Sequence, residues 1–532
     1  MSTIIDGSNG VTFPNGETIN GNVDASLVTF VQSGTGAVSR TAQDKMREAV
    51  SVKDFGAVGD GVTDDTSTIQ AAIDYVSSLG VPAKVIVPAG HVFILSVAAR
   101  SGIAAGVAGL VLKSNVTLVL DGTLKAKAGI YGVGTLSALI KTADVGVSNA
   151  GIVGTGIIDG NKANQTASVQ CDNIYLRAVS NVTVSGISSI NANGNGILIT
   201  KAVSGSNHTD VSVTGTVVSV CNTIGIQVSH SASNLVIANN RVSSCTDNCI
   251  DVYNENGTTT TDPGVVSITG NTVTGGLVGI FPETTSNCSV TGNSISSCTY
   301  AGISTNRING APSNIVISNN NITGCPRGII GSGDSSGVLI CTNTVAAFDT
   351  AGVLLTGTTV ASYTVHGNVF SPSATTTPVI SISGTSLVRL QVFNNVCLDA
   401  SHNTAYGVVT SGTLSLSTLE PIIYSTEKRP VKRPGAESAS SGGTSTISVP
   451  AYSAGKLVIY STSGGGWHSV WSGSFISGAS RVTVAQESST FTSPGNCVSS
   501  VAGSASTLNI TVNWASPGSG IQYNYWVEYV TG

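Results

Sequence analysis

An all-β protein built on a right-handed parallel β-helix is the fold class this sequence predicts. Three observations predict it: the composition, a repeat of about 27 residues, and three short strand-like segments inside each repeat. Of 532 residues, 63 are Gly, 10% are charged and 41% are hydrophobic. Such a chain has side chains enough for a core, too many for disorder, and few helix formers.

The repeat is clearest where Ser-Asn precedes an alternating strand. "SNVTVSG" starts at Ser180, "SNLVIAN" at Ser233, "SNCSVTG" at Ser286 and "SNIVISN" at Ser313. The spacings are 53, 53 and 27 residues, so the unit is about half of 53. Weaker copies begin at Thr209, Gly264, Ser336 and Ala361. Each copy continues with a second strand ("RVSSC", "SISSC", "NITGC") and a third ("GNGILIT", "DNCIDVY", "LVGIFPE", "YAGISTN"). A single coil cannot bury its inward face, whereas stacked coils bury it against each other. Asn and Gly at the corners tolerate left-handed backbone. No 3.6-residue period supports a helical solenoid.

The cysteines follow the repeat. Aligning second strands places Ile190, Cys221, Cys245, Gly276, Cys298, Cys325 and Phe348 at one inward position. Cys249 falls in the slot of Gly196, Gly225, Gly279, Gly302, Gly328 and Gly352. Cys behaves there as a small hydrophobe. "CTDNC" at 245–249 has no second CxxC pair and no nearby His, so it reads as core and not as a metal site. No metal and no cofactor is expected.

The flanks differ from the repeat. Residues 1–50 form a polar head without repeats, and residues 51–426 form the β-helix domain. In "DFGAVGDGVTDDTSTIQAAIDYVSSLG", Thr63, Asp64 or Asp65 can cap a short helix over 66–79. That helix presents Ile69, Ala72, Ile73 and Val76 on one face and can plug the open end of the coils. "EKRPVKRPGAESASSGGTST" at 427–446 reads as a linker. Residues 447–532 alternate like the strands of a small β-sandwich, for trimerisation or carbohydrate binding. Trp467, Trp471, Trp514 and Trp526 all lie there, as core or seam residues before sugar platforms.

Charge narrows the partners. A net charge of −5 without a basic block speaks against nucleic acid. No run of about 18 apolar residues offers a membrane span, so no membrane insertion is expected. "MSTIIDGSNGVTFPNG" lacks the basic and apolar regions of a secretory signal.

"VSVKDFGAVGDGVTDDTSTIQAAI", followed by "VIVPAGHVFI", resembles the pectate-lyase-like motif of bacteriophage tailspike and tail-fibre depolymerases. The coils extend the resemblance to about residue 410. The resemblance implies a homotrimer attached through its N-terminus to the phage tail or baseplate. It implies a bacterial surface polysaccharide as partner, such as capsule, exopolysaccharide or O-antigen. It also implies a place in the virion, after synthesis in the host cytoplasm and release by lysis.

Glycoside hydrolysis needs two carboxyls, one protonated as general acid and one as base or nucleophile. Most coils carry no outward acid. The coil at 245–256 carries Asp247, Asp251 and Glu255, and the next coil brings Glu283 to the same edge. Alternation turns Ile250 and Val252 inward and Asp251 outward. Asp247, Asp251 and Glu283 are therefore the catalytic candidates. Tyr253, Glu255, Tyr300 and Arg307 are the substrate-binding candidates, with aromatic rings for sugar stacking and an arginine fork for an acidic sugar. The plainer reading is that turn Asp residues serve turn hydrogen bonds and solubility. Asp159 and Asp172 are further carboxyls, able to pair with each other but without a cation or aromatic ring in phase.

"NTIG" at 222–225, "TDNC" at 246–249 and "NRIN" at 306–309 partly resemble the polygalacturonase motifs on successive coils. Ile224 and Asn248 stand where that family has carboxylates, its His motif is missing, and Asn309 replaces its Lys. That family's own constellation is incomplete here, which leaves carboxyls recruited locally. A polysaccharide lyase is the alternative, with Tyr253, Tyr300, Lys201 or His230 as base and Arg307 as neutraliser. A non-catalytic adhesive fibre is a further alternative. No serine motif supports an esterase.

Overall fold

The computed structural model describes residues 4–6, 10–12, 18–19, 24–101, 103, 106–129, 137–143, 146–166, 170–200, 208–229, 232–253, 265–283, 285–305, 313–332, 335–399, 408–415, 418–419, 423–424, 431–438, 444–448, 453–461, 468–477, 482–489, 498–503, 509–514 and 522–531. Among these residues, strands from Ala49–Ser51 to Ile423–Tyr424 stack into three parallel sheets of 14, 14 and 13 strands. The first sheet holds the Ser-Asn strands, such as Ala232–Ala238 and Ser313–Ser318. The second holds short strands such as Arg241–Ser243 and Ser294–Ser296. The third holds Ile250–Tyr253, Val278–Pro282, Ala301–Thr305 and Arg327–Ser332. This is the parallel β-helix that the repeat predicts. The coils continue to Tyr424, past residue 410, to which the resemblance extends in the sequence.

Local chemistry explains the corners. Asn181, Asn234, Asn287 and Asn314 of the Ser-Asn motif have φ of 51°, 56°, 52° and 53°. Asn accepts this left-handed backbone at lower cost than other side chains. Between the first and second sheets runs a buried ladder of Asn240, Asn271, Asn293, Asn320, Asn343, Asn368 and Asn395. From Asn240 to Asn368, each Nδ2 donates to the Oδ1 of the next rung at 2.9–3.0 Å, and Asn395 closes the column on backbone carbonyls. Each also donates to a backbone carbonyl of the first-sheet corner. A buried amide column is stable only when satisfied at every rung, and this one is.

The core is one continuous apolar cluster along the coils. Cys221, Cys245, Cys298, Cys325 and Phe348 all lie in it, as aligned. One member of that alignment is corrected. Ile190 pairs with Ser219 and is half-buried. The residue beneath Cys221 is Ala192, whose carbonyl accepts the Asn222 N–H. The slip came from a short coil, where Ser189 turns inward and donates to the Gly196 carbonyl. Cys249 does occupy the glycine slot, since Ile250 pairs with Ile226 and Ile280. A Cβ at Gly225 would stand 2.4 Å from Val242 Cγ1. Cys249 has room for its sulfur because the next coil has Gly276, where a Cβ would stand 2.8 Å from it. Its thiol donates to the Gly275 carbonyl at 3.2 Å. A hydrogen bond with Cys245 and burial together push its pKa upward.

The helix expected over 66–79 runs Thr66–Ser78 and buries Thr66, Ile69, Ala72, Ile73 and Val76. It packs on the first coils and closes their open end. Asp65 is its N-cap by position, but its carboxylate accepts the Val58 and Gly59 N–H groups instead. Asp64 accepts the Thr66 N–H. Gly59 has φ of 65°, and a Cβ there would lie 2.7 Å from Phe93 Cε1. The head contains a three-stranded and a two-stranded antiparallel sheet. Beyond the β-helix lie antiparallel sheets of five and three strands. Val431–Ser438, inside the segment read as linker, is a strand paired with Gln522–Thr531. Its Pro and Lys residues concealed the alternation.

Candidate active site

Asp251 lies on the third sheet, paired with Gln227 on the coil before and Phe281 on the coil after. Ile250 and Val252 belong to the core, so Asp251 points outward as alternation requires. It is nevertheless only 5% exposed. Tyr175, Leu198, Ser304 and Ile330, outward on the same sheet, are buried too. Outward positions of this sheet are therefore largely buried. The accessible line is the corner before this sheet. There the Leu277 N–H donates to the Asp247 carbonyl, and the Tyr300 N–H to the Leu277 carbonyl. Leu277 and Tyr300 are 42% and 38% exposed.

Asn248 Nδ2 donates to Asp251 Oδ2 at 3.0 Å, while Asp251 Oδ1 has no partner among the described residues. Burial is the main cause that pushes the Asp251 carboxyl up to about 7. The Asn248 hydrogen bond opposes this, and the charges of Glu283 and Asp247 add to it. Glu283 is buried and directly follows Pro282, the partner of Val252 on the next coil. Asp247, Asp251 and Glu283 thus share one electrostatic neighbourhood, as the sequence predicts. Such a set offers a protonated carboxyl near neutral pH beside groups able to act as base or nucleophile.

Of the substrate-binding candidates, Tyr300 stands two coils beyond Asp247 on the corner line. Tyr253 ends the Asp251 strand, and its side chain lies outside the described residues. Glu255 and Arg307 lie outside them as well, as do Lys201 and His230. The arginine that sequence reading missed is Arg327, whose guanidinium lies over the Tyr300 ring at 4.7 Å. It starts its strand instead of following it, which hid it from a search of strand ends. Its signal was a charge in a column otherwise held by Val278, Ala301 and Ala351.

The further carboxyls are corrected. Asp159 accepts from Asn161 and Asn191 and pairs with Lys125 at 3.7 Å, not with Asp172. Asp172 does have a cation and a ring on its face: Lys141 Nζ lies 4.8 Å from the Tyr175 ring centre. Burial pushes Asp172 up to about 7, against the hydrogen bonds from the Asn195 backbone and Gln170 and the charge of Lys141. The stretches "NTIG" and "TDNC" stack in register, Ile224 beneath Asn248 and Gly225 beneath Cys249. "NRIN" lies outside the described residues. Among the described residues, no group of three or more His, Cys, Asp or Glu is arranged to hold a metal ion. None of their helices is long and apolar enough to cross a membrane.

The family described as "Rhamnogalacturonase A/epimerase, pectate lyase-like" matches residues 49–330, more than half of the chain. The chain belongs to that family. A second description, "Right handed beta helix region", matches residues 258–419. Family membership thus agrees with the architecture built above.

The tail spike protein of Shigella phage Sf6 is 49% identical over 55 residues, 10% of this chain and 9% of that relative. Alginate lyase 7 of Azotobacter vinelandii is 36% identical over 126 residues, 22% of this chain and 13% of that relative. The chain therefore matches about a tenth of the length of these relatives. The solved tailspike of E. coli bacteriophage HK620 superposes with a TM-score of 0.59 at 16% identity, covering 95% of this chain and 97% of that one. The same tailspike in complex with a pentasaccharide matches at a TM-score of 0.56. The resemblance to tailspikes with a pectate-lyase-like β-helix, drawn from motifs within residues 50–94, therefore holds.

Proposed function

We propose that the protein is a phage tailspike that binds a bacterial surface polysaccharide and cleaves it by endo-glycosidic hydrolysis. Asp251 is the general acid, and Glu283 or Asp247 is the base or nucleophile. The observation that carries the reading is the Asp251 carboxyl: buried, held up to about 7, with no partner for Oδ1 among the described residues and with two carboxylate neighbours. A carboxyl that keeps its proton at neutral pH can deliver it to a glycosidic oxygen. A neighbouring carboxylate completes the pair that glycoside hydrolysis requires. The Sf6 and HK620 tailspikes support the phage setting. A homotrimer attached through the N-terminal head to the tail or baseplate belongs to the same proposal, as does a carbohydrate or assembly role for residues 447–532.

The alginate lyase relative favours a second reading, proton abstraction beside a uronate carboxylate. Polysaccharides from susceptible hosts separate the two. Hydrolysis yields reducing ends without an ultraviolet band. A lyase yields the band of a new conjugated double bond, and that result would replace our reading. No released oligosaccharide from any host would leave an adhesive fibre.

A further inference from the structure

Arg327 opens the strand Arg327–Ser332 at an outward position that adjacent coils fill with Ala301 and Ala351. A guanidinium in a column of small apolar side chains calls for a reason. No hydrogen bond or ion pair with the described residues holds it. It lies over the Tyr300 ring at 4.7 Å, with its Nε sealed from solvent and lacking an acceptor. A sealed donor without an acceptor costs about 1–3 kcal/mol, and the cation–π contact offsets roughly 0.5–2 of that. The result is a planar cation set against a ring, with no acceptor among the described residues.

Tyr300 belongs to the accessible corner line that starts at Asp247 and passes Leu277. Arg327 lies three strand steps beyond Asp251, through Val278–Pro282 and Ala301–Thr305. At an interstrand spacing of ~4.8 Å, the two are about 14 Å apart along the helix axis. A sugar chain along this line would meet carboxylates at one end and an uncommitted arginine at the other. Asp247 and Glu283 repel an anionic ring, while Arg327 attracts one and Tyr300 stacks on it.

We infer that Arg327 and Tyr300 form a binding subsite for a carboxylated sugar, three coils from the acid cluster at Asp251. The subsite orients the polymer: its charged sugar docks at Arg327, which brings a less charged linkage to Asp251. The inference rests on the depolymerase reading for its substrate class, but its test does not depend on cleavage.

The test titrates the intact protein with trigalacturonate and with its carboxyl-reduced, neutral counterpart, following heat. The wild type should bind the first, not the second, and more weakly as salt is added. Arg327→Gln should weaken binding about tenfold or more, as expected for a lost charge-assisted hydrogen bond, and should abolish the salt dependence. Arg327→Lys keeps the charge without the planar fork and should fall between the two. Asp251→Asn should bind no less tightly than the wild type. Matching thermal unfolding of the variants guards against a folding defect. Failure of the wild type to bind, equal binding of the neutral sugar, or unchanged binding by Arg327→Gln would each overturn the subsite. Full cleavage by Asp251→Asn would instead remove the catalytic assignment and leave the subsite standing.

Discussion

Asp251 and Asp172 sit on the same sheet, three strand steps apart, and both are held up to about 7 by burial. Their surroundings differ. Asp172 accepts the Asn195 N–H at 2.7 Å and the Gln170 amide, and feels the cation of Lys141. Asp251 holds one amide, has no partner for Oδ1 among the described residues, and feels two carboxylates. Asp172 is tied to the backbone of the next coil, the position of a structural group. Asp251 is held by one amide and electrostatically crowded, the setting our proposal gives to a general acid. A raised pKa therefore does not by itself mark a site; the partners decide what the proton is for.

The largest expected effect tests that contrast directly. Asp251→Asn should lower the rate of reducing-end release on a responsive polysaccharide by about 10²–10⁴-fold, the usual contribution of a general acid. Asp172→Asn should stay within roughly threefold, since the amide oxygen can still accept the Asn195 N–H. Equal losses would erase the distinction. The rate for the wild type should fall as pH rises through about 7, where Asp251 gives up its proton, and Asp172→Asn should keep that limb.

Stability should not distinguish the two. Both carboxyls have folded-state values above the ordinary 3.8. Between about pH 4 and 7 the unfolded chain has released protons that the folded chain retains, so stability falls as pH rises through that window. From 3.8 to about 7, at ~1.36 kcal/mol per pH unit, each contributes at most on the order of 4 kcal/mol. Either Asp→Asn variant should therefore unfold at higher temperature than the wild type at pH 8, with the gap closing near pH 4. A gap for one variant alone would show that burial is not their common cause.

The smallest effects concern the neighbours and have opposite signs. Glu283→Gln removes a charge that raises Asp251, so the alkaline limb of residual activity should move down by a few tenths of a pH unit. Lys141→Met removes a charge that lowers Asp172, so the pH window of its stability effect should extend upward by a similar amount.

Much of this was legible in the chain. The Ser-Asn spacing gave the coil, because Asn234, Asn287 and Asn314 mark the same left-handed corner each time. Alternation set Asp251 outward between Ile250 and Val252, and the coil period brought Glu283 to its neighbourhood. Cys221, Cys245 and Cys249 were assigned to the core because position within the repeat outweighs residue type. Ile190 was misaligned where a coil is short, and Arg327 was missed because its partner Tyr300 lies 27 residues earlier. Asp172 was set aside because Lys141 lies two strands before Tyr175's neighbour Leu198, a proximity that only sheet register creates.

The sequence by itself determined the coil, its inward and outward faces and the few coils that carry outward acids, because these follow from short-range periodicity. Tertiary structure decided which outward groups are buried and which cation meets which ring. It also decided which of two equally shifted carboxyls meets a backbone N–H and a cation, and which meets two other carboxyls. Those properties depend on how successive coils align and on what covers them, and desolvation is a property of that assembled surface, not of any single repeat.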